Sequence, residues 1–249
     1  MYQKERLDNI MQIVKSCGYV TVKYLVATLH YSNATINRDL NALEKQKKIK
    51  RTYGGVEYTQ TQGVPLPFRY NKMRASKLKI AKRATELVGE GEVIFVDAST
   101  TCEYMTEYLV EKKDITVITN NMALVMRLSE YGVNAVCLGG RIVESPCMLD
   151  GAETVENALK YRADKAFFST AELTQEGEIG TGEIYYLLHN AMIRQAKEAY
   201  LLIDSEKIKP KSESKRALGD LQIVTGVVSD YDFDEETRKK FPKTAFIKA

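Results

Sequence analysis

Residues 34–56 read ATINRDLNALEKQKKIKRTYGGV, and their pattern predicts a helix that runs directly into a β-hairpin. Three apolar residues fall at the spacing of one helical face: Ile36, Leu40 and Leu43. Two β-prone stretches follow, 49–53 and 56–58, with Gly54 and Gly55 between them as the turn. The hairpin carries basic residues and comes immediately after the helix, which is the arrangement of a wing.

Two shorter amphipathic helices are predicted upstream of this stretch. The first has an apolar stripe formed by Leu7, Ile10, Met11 and Val14, and Gly18 ends it. The second repeats the spacing with Val22, Leu25, Val26 and Leu29. Thr21 can cap the second helix, and Ser32 or Asn33 can cap the third. Two short helices joined by a tight turn are typical of a helix-turn-helix, although a generic three-helix bundle has the same periodicity.

The polar residues of the third helix and the wing favour a DNA-binding head. Side chains that can hydrogen-bond to base edges or phosphates lie on the outer face of the helix: Asn33, Thr35, Asn37, Arg38 and Asn41. Cations suited to phosphate contacts follow in the wing: Lys48, Lys50 and Arg51. Residues 1–60 hold ten Lys/Arg and five Asp/Glu, a net charge of +5, whereas the remainder holds 26 and 28, a net charge of −2. A solvated charge run is the alternative interpretation, but a basic head on a near-neutral body favours a polyanionic partner.

The quoted stretch resembles the DeoR family of bacterial regulators, whose helix-turn-helix reads approximately T-I-R-R-D-L-x-x-L-E-x-x-G-x-I-x-R-x-x-G-G. The matching residues are Thr35, Ile36, Arg38, Asp39, Leu40, Leu43, Glu44, Ile49, Arg51, Gly54 and Gly55. Asn37 stands where the family usually has arginine, and Lys47 stands where a glycine usually ends the helix. The resemblance implies that residues 1–58 form a winged helix-turn-helix, an α+β unit that binds double-stranded operator DNA.

The rest of the chain predicts an α/β domain. Residues 59–76 lose periodicity and contain two prolines, so we expect a linker there, followed by an effector-sensing domain over 77–249 whose first helix starts at Lys77. Strands are predicted at 93–97, 115–119, 134–138, 165–169, 200–203 and 223–229, and helices at 101–112, 121–131, 153–161 and 183–198. This alternation predicts a mostly parallel sheet with helices on both faces.

Polar residues follow several predicted strands, at the edge where such sheets bind ligands. They are Asp97 to Thr101, Thr119 to Asn121, Gly139 to Arg141, and Asp204 to Lys207. Hydroxyl groups, glycines and Arg141 at this edge suit an anion, although helix caps use many of the same residue types.

This second region also resembles the DeoR sensor domain, whose pieces read roughly D-S-G-T-T, T-N-S, G-G, a later glycine, and D-x-x-K. The resemblance implies a ribose-phosphate isomerase-like fold and a pocket for a phosphorylated sugar. Its residues here would be Asp97, Ser99, Thr100, Thr101, Thr119, Asn120, Gly139, Gly140, Gly151, Asp204 and Lys207. Ser99 replaces the usual glycine of the phosphate loop, and Glu172 could contact the ligand or cap a turn.

Composition narrows the remaining possibilities. The cysteines are widely spaced and the two histidines lie far apart, so no metal site is predicted, nor is a cofactor or a catalytic residue. The charged N-terminus and the lack of a long apolar run predict a cytoplasmic protein without membrane contact. We expect a homo-oligomer, a dimer or tetramer, that matches paired operator half-sites. Two alternatives remain: a sugar-phosphate isomerase-like enzyme with an accessory head, and a DNA-binding regulator that needs no ligand.

Overall fold

The structure, a computed structural model, describes residues 3–17, 19–52, 54–58, 66–144 and 148–249. Its internal contacts divide the chain between Lys72 and Met73 into two units. We call the first the head and the second the large unit.

The described part of the head begins with three helices and a small antiparallel sheet. The helices are α1 (Gln3–Cys17), α2 (Val22–Leu29) and α3 (Asn33–Lys45), and the strands are β1 (Tyr19–Thr21), β2 (Ile49–Thr52) and β3 (Gly55–Tyr58). The strand order is β1-β3-β2, so the predicted hairpin is confirmed and gains a third strand that periodicity did not indicate. Thr21 caps α2 and Ser32 caps α3, each accepting a hydrogen bond from a main-chain N–H three residues ahead.

The head has its own apolar core, formed by the stripes predicted from helical periodicity. Its fully buried members include Ile10, Val14, Leu25, Ile36 and Leu40. The helical periodicity of the sequence therefore predicted which residues form the core of the head.

The region between the wing and the first strand of the large unit is more helical than predicted. Residues 59–65 of the predicted linker lie outside the described residues, but α4 spans Leu66–Asn71 and α5 spans Arg74–Thr85. Pro67 does not prevent α4 because proline is tolerated in the first turn of a helix. The predicted helix start at Lys77 is wrong by three residues, since the Lys77 N–H already donates to the carbonyl of Met73.

The large unit is built around a seven-stranded sheet. The described helices of this unit beyond α5 are α6 (Thr100–Glu103), α7 (Thr106–Leu109), α8 (Met122–Glu130), α9 (Ala152–Ala158), α10 (Glu183–Gln195) and α11 (Glu235–Lys240). Its described strands are β4 (Val93–Val96), β5 (Thr116–Thr119), β6 (Asn134–Cys137), β7 (Arg141–Glu144), β8 (Met148–Asp150), β9 (Ala163–Phe168), β10 (Glu172–Thr174), β11 (Glu178–Thr181), β12 (Ala196–Ile203), β13 (Ile208–Lys209), β14 (Arg216–Asp220), β15 (Gly226–Ser229) and β16 (Ala245–Lys248). The main sheet has the order β16-β15-β12-β9-β4-β5-β6, and every neighbouring pair is parallel.

Helices cover both faces of this sheet, as predicted. Phe95, Phe168 and Leu201 point to one face and pack with residues of α9 and α10. Ile94 and Phe167 point to the other face and pack with residues of α5 to α8. The alternation of side chains along each strand thus feeds two separate apolar cores.

Several predicted boundaries are wrong. The predicted helix 101–112 is two short helices, α6 and α7. The predicted helix 183–198 ends at Gln195. Its last three residues belong to β12 instead, because Ala196 and Glu198 pair with Ala163 and Lys165 of β9. The predicted strand 223–229 starts at Gly226, after a 3-10 turn.

Two smaller sheets complete the unit. One has four strands in the order β13-β10-β11-β14, and the other is the β7–β8 hairpin. Neither sheet was predicted from the sequence. Their strands are two to five residues long.

Candidate functional site

The predicted DNA-contacting residues lie on α3 and at the start of the wing. Those with exposed side chains are Asn33, Arg38, Asn41, Lys48 and Lys50, and those half-buried are Thr35, Asn37 and Arg51. The opposite side of α3 packs into the head core through Ile36, Leu40 and Leu43. The helix therefore presents its polar face outward while its apolar face fixes its position.

A buried ion pair fastens α3 to α1. The guanidinium of Arg6 donates through Nε and Nη2 to the two carboxylate oxygens of Asp39, the second at 3.0 Å. Asp39 is fully buried, and the Arg6 guanidinium also lies 5.1 Å from the ring centroid of Tyr31. A two-pronged contact of this kind fixes orientation as well as distance. Arg6 was not singled out from the sequence, although a carboxylate within the apolar stripe of α3 indicates a buried cationic partner.

The order of the parallel strands gathers the second set of predicted residues at one edge. The carboxyl ends of adjacent strands β12, β9, β4, β5 and β6 lead into Asp204, Ser169, Asp97, Asn120 and Leu138-Gly139. Beside this edge, an open pocket of about 600 Å³ is lined by Gly140, Arg141, Gly151, Ala152 and Glu153. Three of the predicted effector residues thus line a common pocket, and the others lie at or just after neighbouring strand ends.

Asp97 organises the turn after β4. Its Oδ1 accepts hydrogen bonds from the N–H of Ser99 at 3.1 Å and the hydroxyl of Ser99 at 2.6 Å. Its Oδ2 accepts from the N–H of Ser169 at 3.2 Å and lies 3.1 Å from Nε2 of His189. Burial alone would raise the pKa of Asp97, but the contacts with His189 and Ser99 outweigh it and hold that pKa below its usual value. Asp97 is therefore an ionised, internally satisfied group.

His189 is a residue of this site that sequence reasoning missed. It is 1% exposed on α10, and its ring lies against Phe168 and Tyr185 with centroid distances of 5.2 and 5.8 Å. Its Nδ1 lies 3.5 Å from the hydroxyl of Thr181. Its contact with Asp97 joins residues 92 positions apart, so no local pattern pointed to it.

The hydroxyl of Ser99 is held by hydrogen bonds within its own turn. Its φ of −70° is accessible to any residue, and its hydroxyl turns inward, donating to Asp97 and accepting from the N–H of Cys102 at 3.2 Å. The side chain is thus a cap for α6.

Two lysines reach the same edge from different elements. Lys77, on α5, is 3% exposed and donates to the hydroxyl of Thr100 at 3.0 Å. Lys207 donates to the hydroxyl of Ser169 at 3.1 Å and the carbonyl of Thr170 at 2.9 Å. Lys77 was not predicted as a site residue, but it stands three and four positions before the buried Ile80 and Ala81, a placement that marks a lysine on an inward-facing stripe.

Two buried oxygens at this edge have no hydrogen-bond partner within the described part of the chain. They are Oγ1 of Thr101 and Oδ1 of Asn120, on residues that are 0% and 2% exposed. The amide nitrogen of Asn120 is occupied, since it donates to the carbonyl of Leu149 at 2.8 Å. Buried polar atoms normally find a partner, so these two oxygens are exceptions.

Gly140 is required by its surroundings. Its φ is +113°, and a Cβ there would lie 2.1 Å from Oγ1 of Thr154 and 2.8 Å from the carbonyl oxygen of Asp150. Thr154 in turn donates to the carbonyl of Gly139 at 2.8 Å. Gly140 allows the main chain to pass directly beside the start of α9.

Glu172 caps a turn. Its Oε1 accepts from the hydroxyl of Ser212 and the N–H groups of Glu213 and Ser214, at 2.7, 2.8 and 2.7 Å. Burial raises its pKa, but these hydrogen bonds outweigh the burial and leave the pKa below its usual value. Of the two interpretations left open by the sequence, the structure supplies the contacts for the cap.

Comparison with known families accounts for both units. The family model described as the DeoR-like helix-turn-helix domain matches residues 6–62, and that described as the DeoR C terminal sensor domain matches residues 72–231. The chain belongs to the DeoR family. This confirms the resemblance seen in the sequence, and it makes the protein a helix-turn-helix transcriptional regulator.

Individual relatives agree with the DeoR assignment. The uncharacterized HTH-type transcriptional regulator FruR of Bacillus subtilis is 31% identical over 247 residues, covering 98% of this chain and 98% of the relative. The glycerol-3-phosphate regulon repressor of Escherichia coli is 24% identical and covers 92% of each chain. Among solved structures, ribose 5-phosphate isomerase A from Methanocaldococcus jannaschii matches 56% of each chain with 22% identity and a TM-score of 0.42.

None of the helices described in this DeoR protein is long and apolar enough to cross a membrane.

Proposed function

We propose that this protein represses a carbohydrate-utilisation operon and that a phosphorylated sugar, bound at the carboxyl edge of the large sheet, changes its affinity for operator DNA. The observation that carries the proposal is the pair of lysines, Lys77 and Lys207, held at this edge beside hydroxyl groups in a DeoR sensor domain. Ammonium groups and main-chain N–H groups bind phosphate oxygens.

The unpartnered oxygens indicate that the ligand carries hydrogen-bond donors in addition to an anionic group. Oδ1 of Asn120 is an acceptor only, so it pairs with a ligand group that donates, such as a sugar hydroxyl. Asp204, 2% exposed at the end of β12, adds another acceptor. Phosphate at the lysines and hydroxyl groups at these acceptors together describe a sugar phosphate, and the relative named as a glycerol-3-phosphate regulon repressor is consistent with that ligand class.

The arrangement favours a sensor over an isomerase. A general base must be free to take a proton from a substrate carbon. Asp97 instead receives hydrogen bonds from Ser99, Ser169 and His189, which leaves it a structural role. The inward turn of Ser99 likewise favours a ligand-responsive regulator over a ligand-independent one. We also propose that the protein acts in the cytoplasm as a dimer or tetramer, because paired operator half-sites require paired heads.

Fluorescence anisotropy with the full-length protein tests this function. Duplexes from its own promoter region would be titrated in the presence of phosphorylated sugars and their unphosphorylated forms. We expect specific binding without ligand and a shift of at least about tenfold in Kd with one phosphorylated sugar, an effect typical of allosteric coupling. Turnover of any sugar phosphate would favour the enzyme, and specific binding with no ligand response or ligand-induced thermal shift would favour the ligand-independent regulator.

A further inference from the structure

Arg51, at the start of the wing, donates three hydrogen bonds to side chains on one flank of α3. Its N–H donates to Oε1 of Glu44 at 2.9 Å, which fixes the main chain of β2 against the helix. Its Nη1 donates to Oδ1 of Asn41 at 2.6 Å, and its Nη2 donates to Oδ1 of Asn37. Both terminal nitrogens of the guanidinium are therefore engaged inside the head.

This contact fixes which way the asparagine amides face. A guanidinium has only donors, so the amide oxygens of Asn37 and Asn41 must point toward Arg51 and their amino groups must point elsewhere. The amino group of Asn37 donates to the carbonyl of Asn33, at 2.9 Å, and to its side-chain oxygen. Asn33, Asn37 and Asn41 are four residues apart and share one flank of the helix, so the three amides form a directional row that starts at Arg51.

We propose that Arg51 is a positioning residue for base recognition and that its phosphate contact, expected from its place in the wing, is not its main role. By holding the amide oxygens, it presents the amino groups at the exposed ends of the row, those of Asn33 and Asn41, to acceptor atoms on base edges in the major groove. The second lone pair of the Asn41 oxygen remains available, so Asn41 can also make the two-bond contact with adenine N6 and N7. This inference rests on the DNA-binding role of the head.

At position 37, where the family pattern has arginine, this chain has an amide that belongs to the row. The amide oxygen of Asn37 accepts a hydrogen bond from Arg51, which an arginine side chain, having only donors, could not do. Ordering the amides before binding lowers the entropy lost when they meet a base. Lys48 and Lys50 are exposed on the same wing and remain available for phosphates.

The test compares base preference with salt dependence in the full-length protein. Wild type, Arg51→Lys, Arg51→Ala, Asn41→Ala and Lys50→Ala would each select from a pool of duplexes with a randomised centre of about 20 base pairs. Kd would then be measured at several salt concentrations. Arg51→Lys keeps the charge but replaces the planar pair of terminal nitrogens with a single ammonium nitrogen on a shorter reach. We expect it to lower the preference for the selected sequence over random duplex by about tenfold while leaving the salt slope unchanged. The bases that lose their preference should be those that lose it in Asn41→Ala.

Lys50→Ala is the matched control on the same strand. It should weaken binding to all duplexes alike and reduce the salt slope by about one. The inference is overturned if Arg51→Lys selects the wild-type sequence with wild-type preference, or if Arg51→Ala weakens all duplexes equally and flattens the slope as Lys50→Ala does. Melting curves identify a variant that has lost its fold, and the comparison then uses whichever of Arg51→Lys and Arg51→Ala stays folded. The double variant Arg51→Lys/Asn41→Ala should discriminate no worse than either single variant, because both changes act on the same contact. If wild type enriches no sequence, the DNA-binding role itself fails and this inference falls with it.

Discussion

Nε2 of His189 lies 3.1 Å from Oδ2 of Asp97, and this contact ties α10 to the turn that follows β4. The same carboxylate holds the N–H groups of Ser99 and Ser169, which belong to two neighbouring strand ends. One buried side chain therefore positions a helix and two loops of the candidate ligand site.

Asp97→Asn should destabilise the large unit by about 2–4 kcal/mol, because it removes a buried charge partner and misdirects a donor. Each carboxylate oxygen accepts from a main-chain N–H, so the amino group of an asparagine would have to face one of those donors. Urea unfolding measures the loss. Asp232→Asn is the control, since its carboxylate is 83% exposed and its partner is the surface residue Lys248. Equal midpoints for the two variants would contradict the structural role of Asp97.

The stabilisation by Asp97 should depend on pH in a defined direction. Its pKa in the folded protein lies below the ordinary value of 3.8, so the ionised form is bound more tightly in the folded state. The contribution is therefore complete above about pH 4 and is lost as the pH falls through the lowered value. The difference in urea midpoint between wild type and Asp97→Asn should stay constant from pH 7 to about 5 and shrink below pH 4. A difference that grows on acidification would contradict this sign.

The residues predicted from sequence and those missed differ in how far their partners lie along the chain. The apolar stripe of α3 and the polar strand ends were predictable because periodicity and strand–helix alternation are local signals. Lys77, His189 and the Arg6–Asp39 pair were not, because each depends on a contact between distant segments. The misplaced start of β12 has the same origin, since pairing with β9 overrides the helical pattern of residues 196–198.

Lys77→Met should weaken binding of the phosphorylated effector with little change in the fold. Methionine keeps the length and apolar stem of lysine but removes the ammonium that lies 3.0 Å from Thr100. Loss of one charge-assisted contact corresponds to a Kd increase of about 10- to 100-fold. Ligand-induced thermal shifts and calorimetry measure it, using any phosphorylated sugar that stabilises wild type. Lys79→Met, exposed on the same helix, should bind normally, and a normal Kd for Lys77→Met would remove Lys77 from the proposed site.

Asp39→Asn should abolish specific DNA binding through the position of α3. The variant leaves the buried guanidinium of Arg6 facing an uncharged amide in place of the carboxylate that accepts from two of its nitrogens. We expect the melting temperature of the head to fall by more than about 10 °C, because an unpaired buried charge is strongly destabilising in a small unit. Circular dichroism and anisotropy would be compared with Asp8→Asn, which changes an exposed carboxylate on α1. Wild-type melting and binding by Asp39→Asn would show that the pair is dispensable.

Gly140→Ala separates a steric requirement from a backbone preference. Gly132 is the matched control, because its φ of +73° is also in the left-handed region but nothing lies within 4 Å of an added Cβ. Gly132→Ala should cost about 1 kcal/mol for the strained backbone alone. Gly140→Ala should cost at least about 2 kcal/mol more, since its Cβ would overlap Thr154 and crowd the carbonyl of Asp150.

The double variant Gly140→Ala/Thr154→Ala identifies the source of that cost. Removing the Thr154 hydroxyl relieves the 2.1 Å overlap but sacrifices its hydrogen bond to Gly139 and leaves the 2.8 Å approach to Asp150. We therefore expect partial rescue, with the double variant more stable than the sum of the single changes predicts. Urea unfolding measures the stabilities, and the affinity for the effector should follow them because Gly140 and Arg141 line the same pocket. If the losses of stability in the two single variants simply add up in the double variant, the main chain has shifted to accommodate the alanine. The close passage beside α9 would then not explain the glycine at position 140.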